Sequence, residues 1–133
     1  MNELETIQQI FKLKTIAVVG MSPKRERPSN YVARYLRDQG YRIIPVNPGH
    51  STIEGETCYP SLQDIPEPVD VVDVFRRSEH VLPIAEAAIQ TGAKALWLQD
   101  GVINQEAAEK AEAAGLLVVM NNCMMRQHRQ LYE

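Results

Sequence analysis

Cysteine is scarce in this chain. Cys58 and Cys123 are the two among 133 residues, too few for a disulfide scaffold, so a core must come from apolar packing with reduced thiols. Excess positive charge is missing too: 14 Lys and Arg against 17 Asp and Glu leave a formal net charge of −3. That argues against broad nucleic-acid binding, which depends on summed positive charge over phosphates. A single anionic small molecule is still served, because a few arginines and oriented backbone amides suffice to hold it. No apolar run reaches membrane-spanning length, and the opening residues MNELETIQQIFKLK are too polar for a secretory signal. The expectation is a cytoplasmic chain without membrane contact.

Several motifs are absent as well. G-x-G-x-x-G does not occur; after Gly20 the chain reads M-S-P-K-R. An NAD site also wants an acid after the second strand for the ribose hydroxyls, and Val46-Asn47-Pro48 supplies none. G-x-x-x-x-G-K-[ST] and G-x-S-x-G are missing, and Ser22 has no evident histidine base. No C-x-x-C or H-x-x-x-H spacing is present, and Cys123 and His128 take different faces of a helix. The sequence therefore names no catalytic group and no metal ligand set.

What is present is a regular alternation. Leu4, Ile7, Ile10 and Phe11 fall at helical spacing, predicting a helix within residues 1–13. Short apolar runs predict strands at Thr15 to Gly20, Tyr41 to Val46, Val69 to Phe75, Lys94 to Gln99 and Leu116 to Met120. A shorter strand is expected around Thr57 to Tyr59. Helices are predicted over RPSNYVARYLRDQG, with Pro28 in the first turn and Ser29 as a cap, and over Leu82 to Gln90. Asn104 opens a further helix, built on Ala107, Ala108, Ala111 and Ala114, and residues 121–133 form a helical tail. Such alternation implies parallel pairing with right-handed crossovers. The fold expected is α/β: a Rossmann-like, doubly wound three-layer sandwich with a five-stranded, mainly parallel sheet, helices on both faces, and one domain over residues 1–133.

In such a sheet ligands bind beyond the carboxyl ends of the strands. The candidates are therefore the residues that follow each strand. Gly20 and Ser22 come after the first, with Lys24, Arg25, Arg27 and Pro28 in the loop and helix start. Asn47 and Pro48 follow the second, Phe75 and Arg76 the third, Gln99 and Gly101 the fourth. Glycine lets backbone approach a ligand, guanidinium grips phosphate in bidentate fashion, and a rim aromatic suits a heterocycle. Asp70 and Asp73 alternate to opposite sheet faces and form no acid–base pair, Asp73 accepting backbone hydrogen bonds. Trp97 reads as core. The pattern calls for an anionic nucleotide, with a phosphate-tagged ribose favoured over NAD.

With those residues in hand, the chain resembles the small stand-alone CoA-binding protein family from about Ile16 to Leu131. The carriers are VVGMS, RPSNYVARYL, GYRIIPVNP, SLQDIPEPVDVVDVFRRSE and GAKALWLQDGV. That family is similar to the nucleotide-binding domain of the succinyl-CoA synthetase alpha subunit. The resemblance implies coenzyme A as cofactor, Gly20 and Ser22 near its phosphates, Asn47 and Pro48 on the nucleotide side, and Phe75, Arg76, Gln99 and Gly101 at the neighbouring rims. It implies a CoA or acyl-CoA binding module, whether carrier, sensor or regulatory subunit, more than a complete enzyme. An NADP-dependent enzyme using Arg25 or Arg27, and a ligand-free interaction domain, are the alternatives; a homo-oligomer or partner protein stays open. One departure stands out. Where relatives carry Asp-Arg before the C-terminal cysteine and Glu-His after it, this chain has Asn121-Asn122 and Gln127-His128.

Overall fold

The computed structural model describes residues 1–133. Five parallel strands form the sheet in the order β2-β1-β5-β6-β7, where β1 is Thr15–Val19, β2 Arg42–Val46, β5 Val71–Val74, β6 Ala95–Leu98 and β7 Leu117–Val119. Period-two alternation sends neighbouring side chains to opposite cores. In β1, Ile16 and Val18 join one cluster and Ala17 and Val19 the other. One face is covered by α1 (Leu4–Phe11), α2 (Pro28–Asp38) and α5 (Met124–Tyr132), which contribute Ile10, Leu36 and Met124. On the other lie α3 (Val81–Gln90) and α4 (Gln105–Ala113). Their small Ala85, Ala88, Ala107, Ala108 and Ala111 let helices and sheet approach closely. The doubly wound parallel fold is thus as the strand–helix alternation required. No helix is long and apolar enough to cross a membrane.

Two local expectations are corrected. Instead of one strand at Thr57 to Tyr59 there is a hairpin, β3 (Thr52–Ile53) and β4 (Glu56–Thr57), while Tyr59 makes an isolated bridge to Val46. Its turn residues Glu54 and Gly55 have φ of +52° and +77°, the left-handed pair that a tight hairpin needs. Glutamate is an uncommon choice there, which hides the hairpin from propensity. Ser29 does not cap α2. Arg27 takes the cap position without a side-chain bond, and Ser29 Oγ instead accepts from the Ser22 amide at 2.9 Å. Asn104 caps α4 as expected, accepting from the Ala107 amide at 3.0 Å.

Candidate ligand-binding site

Two neighbouring strands, β1 and β5, send the chain in opposite directions, to β2 on one side and to β6 on the other. Crossover helices therefore diverge to opposite faces, and a crevice opens beyond the strand ends. Gly20 follows β1 with φ +88°. A Cβ there would stand 2.9 Å from the Phe75 carbonyl oxygen and 3.3 Å from Arg76 Cδ. The sequence asked for glycine so that backbone could approach a ligand; the structure adds that two strand ends come together here and leave no space for a side chain.

Three lobes with shared walls make up the crevice. The first, about 520 Å³, is bordered by Gly20, Ser22, Lys24, Arg27, Pro28 and Asn47, and also by His50 and Phe75. Hydrogen bonds fold its loop back on itself. Ser22 Oγ accepts from the Lys24 amide at 3.1 Å, and Asn47 Nδ2 donates to the Met21 carbonyl at 3.0 Å. Asn47 Oδ1 is taken up by the Gly49 amide. Pro28 at the first position of α2 has no N–H, and Ser29, 6% exposed, keeps an amide hydrogen without an acceptor in the chain. One amide without an acceptor at a helix start, two cations and a hydroxyl suit a phosphate.

The second lobe, about 650 Å³, lies across Pro28 and Phe75 from the first. Tyr31, Val32, Val102 and Met125 give it apolar walls, while Arg76, Gln99, Gly101 and Cys123 also border it. Arg126 spans its rim, with two 2.9 Å bonds to Asp100 and one of 3.0 Å to Asn122 Oδ1. That guanidinium holds the Asp100 carboxyl below its ordinary value. Below the rim Gln99 Nε2 donates to Asp73 Oδ1 at 2.5 Å, and Gln99 Oε1 accepts from the Met124 amide at 3.4 Å. Asp73 is fully buried, and its Oδ2 has no partner. Desolvation, opposed by the Gln99 bond, pushes its carboxyl up to about 7. Backbone donors do not serve Asp73, contrary to the sequence reading; a side-chain amide does. Asp70 is the carboxylate that takes backbone amides, those of Lys14 and Thr15 at 3.1 Å.

The third lobe, about 290 Å³, is a slot between Pro48, Pro60, Leu62 and Pro83, with Ser61, Gln63 and Arg76 at hand. Arg76 thus borders two lobes. Of the residues named from sequence, Arg25 borders none of the three. Its Nε lies 3.4 Å from Glu54 Oε2 and its carbonyl accepts from Arg34. Sequence gives a charge and no direction, and Glu54 supplies the direction. Asp100 and Arg77 were within reach of the strand-end rule. Tyr31, Met125 and Arg126 were not, since only the tertiary fold brings α2 and α5 to this rim.

The altered C-terminal amides are built into that rim. Asn121, at φ +58°, accepts from the Gly101 amide at 2.8 Å, and the Asn122 carbonyl accepts from buried Trp97 Nε1 at 2.8 Å. Asparagine is among the residues that enter the left-handed region most readily. His128 leaves the site altogether. It sits among Phe11, Tyr35, Tyr41 and Tyr132, with Nδ1 2.8 Å from the Tyr35 hydroxyl. No group of three or more His, Cys, Asp or Glu side chains comes together in a way that could hold a metal ion.

Comparison with known proteins gives the family of the chain. The chain is 40% identical over 126 residues to the uncharacterized protein YneT of Bacillus subtilis, covering 95% of this chain and 92% of that one. It is 29% identical over 128 residues to the ADP-forming acetate–CoA ligase I of Archaeoglobus fulgidus, of which it spans 19%. A solved structure of a hypothetical protein from Pyrococcus horikoshii superposes with a TM-score of 0.93 at 45% identity, over 97% of this chain and 92% of that one. The model of the CoA binding domain matches residues 14–129, a span that holds every wall of the three lobes, and the chain belongs to that family.

Proposed function

We propose that this chain binds coenzyme A or an acyl-CoA and works as a non-catalytic carrier, sensor or regulatory module. The observation that carries the reading is the contact of Gly20 with Phe75 and Arg76 at the sheet's switch point, where a polar, cationic lobe meets an apolar one. CoA has that same division, with phosphates at one end and a pantetheine arm at the other. The residues present fit it. Ser22, Lys24, Arg27 and the Ser29 amide would hold phosphate, Pro48 and its neighbours would flank the base, and Phe75, Gln99 and Gly101 would line the arm. Bound CoA would supply the thiol that carries an acyl group; the chain's own part is to bind and orient it.

An NADP-dependent enzyme is the weaker reading. Asn47 spends both ends of its carboxamide on backbone, and Arg25, the cation that reading calls on, is paired with Glu54. The reading of a lost site rested on the C-terminal amides, and these are engaged in the rim.

Isothermal titration with CoA, acetyl-CoA, NADP and NAD tests the proposal. CoA or acetyl-CoA should bind at micromolar levels, and ligand at a hundredfold excess over Kd should stabilise by about 2.7 kcal/mol in a thermal shift. No response to CoA at millimolar concentration overturns it, and a preference for NADP transfers the site to the dinucleotide reading.

A further inference from the structure

The β3–β4 hairpin lies outside the strand-end rule that found the site, yet its tip reaches the loop of the first lobe. Glu54 stands there at φ +52°, a conformation that glycine or asparagine adopts at less cost. Its side chain is only 16% exposed, and its atoms face the loop and the start of α2. Glu54 Oε2 accepts from Asn30 Nδ2 at 3.3 Å and pairs with Arg25 Nε at 3.4 Å. The Glu54 carbonyl accepts from Arg37 at 2.9 Å.

Asn30 is the relay. It is completely buried, and all its polar atoms are in use. Nδ2 also donates to the Ser22 carbonyl at 2.8 Å, while Oδ1 accepts from Arg34 Nε at 2.8 Å. Arg34 returns to the loop through the Arg25 carbonyl. The loop is thereby held at Ser22 and at Arg25 by a network that ends on one carboxylate. A turn that wanted only to be a turn would carry glycine at this position.

We infer that Glu54 is a positioning residue for the anion-binding loop: through Asn30 it fixes Ser22, and through its ion pair it keeps Arg25 away from the ligand. This rests on the reading of the first lobe as the phosphate site. Lys24 and Arg27 are then the loop's working cations, and the hairpin belongs to the site without touching the ligand.

The test compares Glu54→Gly, Glu54→Asp and Glu54→Gln in the full chain. Two readouts are used: hydrogen exchange across the loop without ligand, and CoA affinity. Glycine relieves the left-handed backbone, so Glu54→Gly should melt no lower than the parent. Its Ser22 and Lys24 amides should nevertheless exchange about tenfold faster and its Kd for CoA rise about tenfold, one hydrogen bond's worth. Should Glu54→Gly fail to fold, the milder Glu54→Asp, one methylene short of Asn30, must give the same two effects. Glu54→Gln keeps an acceptor for Asn30 and should restore both readouts to within about threefold of the parent. A purely structural role predicts a lower melting temperature with unchanged affinity. Unchanged exchange in Glu54→Gly overturns the inference, and so does unchanged CoA affinity. If the parent protein binds no CoA, the functional reading fails by itself, and loop exchange still decides the role of Glu54.

Discussion

The two larger lobes of the crevice share Phe75 and Pro28 but are built on different principles. The first is backbone and cation: a glycine pressed against its neighbour, a loop folded by its own amides, and Lys24 and Arg27 at the edge. The second is side chain and apolar surface, roofed by the Asp100–Arg126 pair and floored by Gln99 over Asp73. Backbone donors have fixed directions and cost little to order, which suits a charged group that must be met by several hydrogen bonds at once. Apolar walls are indifferent to direction and suit a flexible chain. Selectivity for the anion should therefore reside in the first lobe, and tolerance for what the anion carries in the second.

The sharpest way to break that comparison is to give each lobe's glycine a side chain. Gly20 and Gly101 have nearly the same φ, +88° and +81°. The Cβ of Gly20→Ala would meet the Phe75 carbonyl oxygen at 2.9 Å, whereas that of Gly101→Ala would meet nothing within 4 Å. Both replacements force an L residue into the left-handed region, at about 1 kcal/mol. Gly20→Ala must also push two strand ends apart, so its total cost should reach about 3 kcal/mol, with CoA affinity falling more than tenfold. Denaturant unfolding and titration of both variants check this. Equal losses would mean that contact between the two strand ends plays no part.

A second, smaller effect belongs to the floor of the apolar lobe. Burial pushes Asp73 up to about 7 from an ordinary 3.8. As pH rises between those values the unfolded chain ionises while the folded one keeps its proton. Stability is therefore lost across that window and stays low above it. Asp73→Asn keeps an acceptor for Gln99 and cannot ionise. It should be more stable than the parent by about 2 kcal/mol at pH 8 and no more stable at pH 3. Melting curves at both pH values check the sign. Unchanged CoA affinity in the variant would mark the floor as packing.

How much of this was legible from sequence follows the same division. The first lobe's Gly20, Ser22, Arg27 and Asn47 could be named because a parallel sheet binds beyond its strand ends, and apolar runs locate those ends. Phe75, Gln99 and Gly101 came from the same rule. Arg25 was named for its charge, and a glutamate on a distant turn directs it elsewhere. Glu54 and Asn30 were invisible because the hairpin has two-residue strands and a turn residue that propensity disfavours. Tyr31, Met125 and Arg126 enter only when α2 and α5 pack on one face of the sheet. Periodicity tells which face of a helix is apolar, and it does not tell which neighbour that face will meet.

The smallest effect asks whether the second lobe holds the arm of the ligand. Two free thiols provide an internal control. Cys58 is buried, its thiol pushed up first by desolvation, with Sγ 3.4 Å from the Asn47 carbonyl. Cys123 is half-buried on the wall of the apolar lobe. Iodoacetamide should therefore label Cys123 well ahead of Cys58, because access to the thiolate governs the rate. Saturating CoA should slow labelling of Cys123 by about threefold or more, an occlusion effect comparable to losing part of the approach to the sulfur. Adenosine 3′,5′-diphosphate, which has phosphates and base but no pantetheine, should leave that rate unchanged. Equal protection by both ligands would put the nucleotide itself in the apolar lobe and reverse the division of labour between the two. Protection by neither would take the arm out of the lobe and leave the walls of Tyr31, Val102 and Met125 without a role in binding.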